Sequence, residues 1–210
     1  LERGRTFYTS NAGLIELRTE ICKYLERTIH VNYDPKKETL ITVGGSEAID
    51  LALRCMLDPG EEVLLPQPSY VSYLPCTIMA DGVPVIVELK HENEFKLTID
   101  DLKDKVTEKT KILVMPFPNN PTGSIMTKED LEPIAKFVEE HDLFVISDEI
   151  YSELSYKGEH VSIASLPGMR ERTIVINGFS KGCAMTGWRL GYCCGPQVIL
   201  KQMIKLHQFA

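Results

Sequence analysis

No Cys-x-x-Cys pair and no His-x-x-His spacing occurs among the six cysteines and five histidines of this 210-residue chain. Zinc and other tetrahedral metal sites are therefore not expected. The cysteines are Cys22, Cys55, Cys76, Cys183, Cys193 and Cys194. Cys193 and Cys194 are adjacent, where an unstrained disulfide is difficult. Reduced thiols acting as small hydrophobes are expected, in a cytoplasmic compartment. An excess of positive charge is also missing. The formal net charge is −7, which leaves no global basic field for nucleic acid. A phosphate ligand would have to be drawn by a local pocket. No apolar run approaches the ~18 residues of a membrane span, and the start is not signal-like. Neither nucleic acid nor membrane is an expected partner. The chain lacks an initiator Met and stops abruptly at Gln208-Phe209-Ala210, so it is expected to be a piece of something longer. Repeats, low-complexity tracts and linkers are absent too. That points to one domain over residues 36–210, with residues 1–35 leading into it.

With 43% hydrophobic and 25% charged residues, the composition is that of an ordinary globular domain. Leu14, Leu17, Ile21 and Leu25 share one helical face and predict a helix from about Leu14 to Ile29. Leu40–Val43, Glu62–Leu65, Val83–Val87, Lys111–Met115, Leu143–Ser147 and Thr173–Asn177 are short, largely apolar runs. Such runs suit strands covered on both faces. Helical patterns fall between most of them, at Ser46–Met56, Tyr70–Ala80, Ile99–Lys105 and Lys128–Glu140, with a last one at Gln197–His207. Strands alternating with helices imply an α/β fold with a mostly parallel sheet and right-handed crossovers.

Four motifs sit at predicted strand ends, where open α/β sheets bind ligands. Gly44-Gly45-Ser46-Glu47-Ala48 joins a strand to a helix. Its glycines let backbone approach an anion, and the helix N-terminus offers free N–H donors. Ser46 can serve as an N-cap or as a phosphate ligand, and the motif alone leaves both open. Gln67-Pro68-Ser69-Tyr70 puts an aromatic after a proline turn, as a core tyrosine or as a ring that stacks on a ligand. Pro116-Phe117-Pro118-Asn119-Asn120-Pro121-Thr122-Gly123 packs three prolines and a glycine into eight residues. That forces a rigid loop in which Asn120 becomes a fixed amide donor. Ser147-Asp148-Glu149-Ile150-Tyr151 ends a strand with a carboxylate, followed by a phenol. Alternation sends the competing carboxylate, Glu149, to the opposite face.

Downstream lie Ser180-Lys181 and then Arg189, inside Met185-Thr186-Gly187-Trp188-Arg189-Leu190-Gly191-Tyr192. An amine able to form an imine and a guanidinium able to hold a dianion match the aldehyde and phosphate ends of pyridoxal phosphate. Asp148 can then pair with the protonated pyridine nitrogen, a charge-assisted hydrogen bond worth about 1.5–3 kcal/mol. Tyr151 can donate to the phenolate oxygen beside the imine.

The succession Pro-x-x-Asn-Pro-Thr-Gly, Asp-Glu-x-Tyr, Ser-Lys and Gly-Trp-Arg-x-Gly resembles the fold type I pyridoxal-phosphate enzymes. It is most similar to class I/II aminotransferases of the aspartate and aromatic amino-acid aminotransferase family, over essentially the whole chain. The resemblance implies a three-layer α/β/α domain with a sheet of seven strands, one of them near Leu190–Cys194 running opposite to the rest. It implies cis peptides at Asn120-Pro121 and Gln67-Pro68. It makes Lys181 the lysine that forms the imine and Asp148 the pyridinium partner. Asn120 and Tyr151 become donors to the ring oxygen, and Tyr70 stacks on the ring. Arg189, Ser46 and the backbone of Gly45 and Glu47 surround the phosphate. Tyr8, in Tyr8-x-x-x-x-Gly13-x-x-x-Leu17-Arg18, matches a tyrosine that reaches the phosphate of a neighbouring subunit. A homodimer is therefore implied.

Two departures stand out. Gly178, three before the lysine, occupies a position where many relatives carry a phosphate-binding serine. The chain also corresponds to the middle half of such an enzyme, without the N-terminal arm and without the C-terminal small domain that carries the carboxylate-clamping arginine. Bidentate guanidinium recognition is hard to replace, so the chain alone is expected to turn over little. The expected reaction moves an amino group from an L-amino acid to a 2-oxo acid through a Lys181 Schiff base, with the freed lysine as the base. A C–S β-lyase on the same scaffold, or a non-enzymatic domain that senses pyridoxal phosphate, would use the same residues.

Overall fold

The computed structural model describes residues 2, 4 and 7–209. Seven strands form one sheet: β1 (Thr39–Thr42), β2 (Glu62–Gln67), β3 (Val83–Glu88), β4 (Thr110–Met115), β5 (Phe144–Asp148), β6 (Thr173–Gly178) and β7 (Gly191–Cys194). Their order across the sheet is β1-β7-β6-β5-β4-β2-β3. Pairing is parallel from β3 through β6, and β7 alone is reversed, antiparallel to both β6 and β1. The strand ends agree with the apolar runs to within one or two residues, because residues buried on both faces are apolar at every position.

Six α-helices cover the sheet: α1 (Ile15–Ile29), α2 (Gly44–Met56), α3 (Tyr73–Met79), α4 (Ile99–Lys103), α5 (Lys128–Glu140) and α6 (Gln197–His207). On one face Ala48, Ile49 and Ala52 of α2 and Leu200 and Met203 of α6 pack with Ile112, Ile146, Ile174 and Ile176. On the other face Leu102, Leu131, Ile134 and Val138 of α4 and α5 pack on Leu64, Leu113 and Val145. Helix α1 joins that second layer, seating Ile21, Cys22 and Leu25 on Val175 and Tyr192. The result is a three-layer α/β/α architecture. Period-two alternation also separates the adjacent cysteines, Cys193 facing the α2 side and Cys194 facing α1.

Local chemistry sets several boundaries. Thr98 and Thr127 open α4 and α5 with capping boxes, exchanging hydrogen bonds with Asp101 and Asp130. Three helix boundaries differ from the periodicity by two or three residues, the first being the end of α4, at Lys103 and not Lys105. Helix α3 begins at Tyr73, so Tyr70 stands in the loop ahead of it. Helix α2 begins at Gly44, with Val43 at its N-cap, so Ser46 lies inside the helix and does not cap it. Gly44 has a φ of +77° and turns the chain directly from β1 into the helix. The X-Pro bonds at Gln67-Pro68 and Asn120-Pro121 are cis, and so, without any advance sign, is Phe117-Pro118.

Candidate active site

Every parallel strand that carries a motif ends at the same sheet edge. There β2 delivers Tyr70, β4 delivers the Pro116–Asn120 loop, β5 delivers Asp148, and β6 leads to Lys181. Strand β1, parallel to these, delivers Gly44 to Ser46. Because β7 runs the other way, the residues that precede it reach this edge, and Arg189 is among them. These elements enclose a cleft of about 260 Å³ lined by Gly45, Ser46, Tyr70, Asn120, Asp148, Tyr151, Lys181 and Arg189, together with Tyr73, Pro116, Pro118 and Thr186.

Asp148 ends β5 almost fully buried, with 7% of its surface exposed. Its Oδ2 accepts a 2.7 Å hydrogen bond from the Tyr73 hydroxyl, and its Oδ1 accepts from the Ile150 amide at 3.2 Å. Burial pushes the carboxyl above its ordinary value, and these two hydrogen bonds oppose that shift without cancelling it. Glu149 points the other way, accepting from Ser147 Oγ at 2.9 Å and from the Ser162 hydroxyl, with His160 Nε2 at 2.9 Å. Burial disfavours a charged His160, but the Glu149 carboxylate outweighs it and raises the imidazole above its usual value. Glu149 is thus absorbed into a structural network behind the sheet, and Asp148 alone of the two faces the cleft.

Tyr73 is a cleft residue that pattern reasoning missed. It falls in a helical stretch and reads as core, and only the fold brings its hydroxyl to Asp148. Tyr73→Phe is expected to move ionisation of Asp148 to higher pH, because a group that stabilises the carboxylate is lost while burial remains. An NMR titration of the Asp148 carboxyl carbon tests this, and an unchanged curve would rule the role out.

In the cleft Lys181 is exposed, its Nζ 5.6 Å from the centroid of the Tyr151 ring. Tyr70 packs edge-on to Tyr73 at 5.8 Å, and its hydroxyl lies 3.4 Å from Ser46 Oγ. That contact, with help from Ser72, pulls the Tyr70 phenol below its ordinary value. The rigid loop is tied down by Asn119, whose Nδ2 donates to Pro68 O at 3.1 Å.

Beside Gly44, Arg189 adopts a left-handed φ of +48°, and its Nη1 donates to Thr186 O at 3.2 Å. A Cβ added to Gly44 would stand 2.7 Å from Arg189 Nη2, so only glycine lets the guanidinium close over the helix start. Gly178 also has a packing reason. A Cβ there would lie 3.0 Å from Gly191 Cα and 3.0 Å from Leu190 O. Close β6–β7 approach thus favours glycine where the resemblance led one to look for serine. Tyr8 is fully exposed and lines no part of the cleft within its own chain.

The donor set fits pyridoxal phosphate. A glycine cradle, a helix N-terminus and a guanidinium suit its phosphate, a desolvated carboxylate suits its ring nitrogen, and an exposed amine suits its aldehyde.

Residues 1–210 match the family described as aminotransferase class I and II. A putative aminotransferase of Bacillus subtilis is 50% identical over 210 residues, all of this chain and 54% of that protein. An aspartate aminotransferase of Pyrococcus abyssi is also 50% identical, again over all of this chain and 54% of that protein. The solved structure of an aromatic aminotransferase from Pyrococcus horikoshii superposes with a TM-score of 0.96 at 49% identity, covering 99% of this chain and 56% of that one. The cleft, its order of motifs and these likenesses agree: the chain belongs to the class I and II aminotransferases and spans about half the length of the curated relatives it matches.

Proposed function

We propose that the intact protein is a pyridoxal-phosphate-dependent aminotransferase that moves an amino group from an L-amino acid to a 2-oxo acid. The observation that carries this is the convergence of Lys181, Asp148, Tyr70, Asn120 and Arg189 on one cleft. In this reading residues 36–210 are the cofactor-binding domain and residues 1–35 lead into it. When bound, pyridoxal phosphate supplies an aldehyde that condenses with an amine and a pyridine ring that takes up the electron pair released at the substrate Cα.

The chain's own groups divide the remaining work. Arg189, the Ser46 hydroxyl and the backbone N–H groups of Gly45 and Glu47 hold the phosphate at the N-terminus of α2. Tyr70 stacks on the ring, and Asn120 and Tyr151 donate to its phenolic oxygen. Asp148 keeps a proton on the ring nitrogen, and its desolvation strengthens that ion pair. Lys181 presents its amine to the aldehyde. When freed, that amine would be the base that takes the proton from the substrate Cα. Tyr8 reaches the phosphate of a second copy, which makes the active form a homodimer. The exposure of Tyr8, and of Val43, Val71 and Trp188 beside Gly44, Tyr70 and Arg189 in the chain, supports such a contact. We assign the protein to the cytoplasm on its thiol-rich, unbridged cysteine content.

The test is an assay of the intact protein with candidate amino acids, with and without 2-oxoglutarate. A transaminase forms a new amino acid only when the acceptor is present. Pyruvate, ammonia and thiol released without an acceptor would establish a β-lyase in its place. Cofactor binding with neither reaction would favour a sensing domain.

A further inference from the structure

The turn assigned to the phosphate is held from outside the cleft by two side chains that no motif pairs. Val43 N–H donates to Glu47 Oε2, so the carboxylate folds back over the start of α2. Its other oxygen, Oε1, lies 2.8 Å from Nδ1 of His207, the last residue of α6. A carboxylate oxygen only accepts, so Nδ1 carries the proton in this contact. Both side chains are 19% exposed. Among the described residues, His207 is the only side chain that hydrogen-bonds this carboxylate.

The turn has little freedom elsewhere. Thr42 Oγ1 donates to Gly44 O at 2.8 Å. A Cβ on Gly191 would stand 2.4 Å from Gly44 C and 2.6 Å from Gly45 N, so β7 lies directly against this backbone. Arg189 closes over Gly44. Glu47 is therefore the clasp on the remaining side, and His207 is what holds the clasp. Electrostatics gives the pair a second consequence. The carboxylate sits at the positive end of the α2 dipole, where the cofactor's phosphate would also bind. Two anions at one helix end repel, and a proton donor on Glu47 draws off part of that charge.

We propose that His207, acting through Glu47, is a positioning residue for the phosphate end of the cofactor site. It keeps the Val43–Gly45 turn closed and offsets the carboxylate that shares the helix end with the phosphate. The proposal rests on the cofactor reading above.

The test uses the intact protein, His207→Ala and His207→Gln, each titrated with pyridoxal phosphate and with pyridoxal, which lacks the phosphate. Inorganic phosphate serves as a competitor. His207→Ala is expected to weaken pyridoxal phosphate binding about tenfold, the scale of one charge-assisted hydrogen bond and a dipole contact. Pyridoxal binding should change by less than about twofold, because pyridoxal carries no phosphate to meet the turn or to be repelled by the Glu47 carboxylate. Inorganic phosphate should compete less well. His207→Gln, whose amide N–H can still donate to Glu47, should recover most of the loss. Equal losses for the two compounds, no loss at all, or a glutamine variant no better than alanine would overturn the proposal. Failure of the unmodified protein to bind either compound would instead remove the cofactor reading, and this inference with it.

Discussion

Replacing Lys181 by alanine is expected to abolish covalent capture of pyridoxal phosphate. Lys181 is the lysine of the cleft, exposed and beside the Tyr151 ring. Borohydride treatment of the loaded, unmodified protein should fix the cofactor irreversibly on the peptide containing Lys181, with loss of the visible absorbance of the imine. Lys181→Ala should show neither the absorbance nor the fixed adduct. Turnover should fall at least by the roughly 10²–10⁴-fold that a positioned general base contributes, and further because the covalent anchor is lost as well. Peptide mapping by mass spectrometry settles the matter. An adduct on any other lysine would displace the site itself, since the remaining residues were placed around this amine.

Asp148→Ala has the second-largest expected effect and separates binding from chemistry. The carboxylate is nearly buried and held by Tyr73 and the Ile150 amide, so its loss empties a desolvated position that water serves poorly. Imine formation on Lys181 needs no protonated ring nitrogen, so borohydride trapping should persist. Affinity should weaken tenfold or more, from a charge-assisted bond of about 1.5–3 kcal/mol. Transamination by the intact protein should fall on the order of 10²–10³-fold or beyond, the usual cost of removing one electrostatic stabiliser of a developing charge. Near-normal turnover in Asp148→Ala would show that the role given to this residue is wrong. Glu149 cannot substitute for it. That carboxylate is committed to Ser147, Ser162 and His160 behind the sheet.

Much of this protein is written locally. Continuous apolar runs such as Ile112–Met115 and Val145–Ile146 identify buried strands, because a strand covered on both faces has no polar side. Lys128–Glu140 is bounded as read, since a capping box at Thr127 and a helical apolar stripe state its start and face in sequence. The chemistry-bearing residues are equally local, because a proline-rich loop or a strand-ending carboxylate follows from side-chain type and spacing. The sequence by itself determined the elements, the alternation that made the sheet parallel, and most of the residues that line the cleft.

Tertiary structure decided which of them meet and what supports them. The reversed β7 was known only by resemblance, and it is this reversal that carries Arg189 to the edge where the other strands end. Ser46 could be a cap or a cleft residue until the fold let Glu47 satisfy the Val43 amide and left the serine hydroxyl facing Tyr70. Tyr73 to Asp148 spans 75 positions and Glu47 to His207 spans 160, so neither pair leaves a periodic or motif signal. Glycine at position 178 made sense only once Gly191 was found against it. Periodicity and motifs record what a residue does with its near neighbours in sequence, whereas these contacts arise from strand order and helix packing. Those are fixed by the burial of the whole sheet at once.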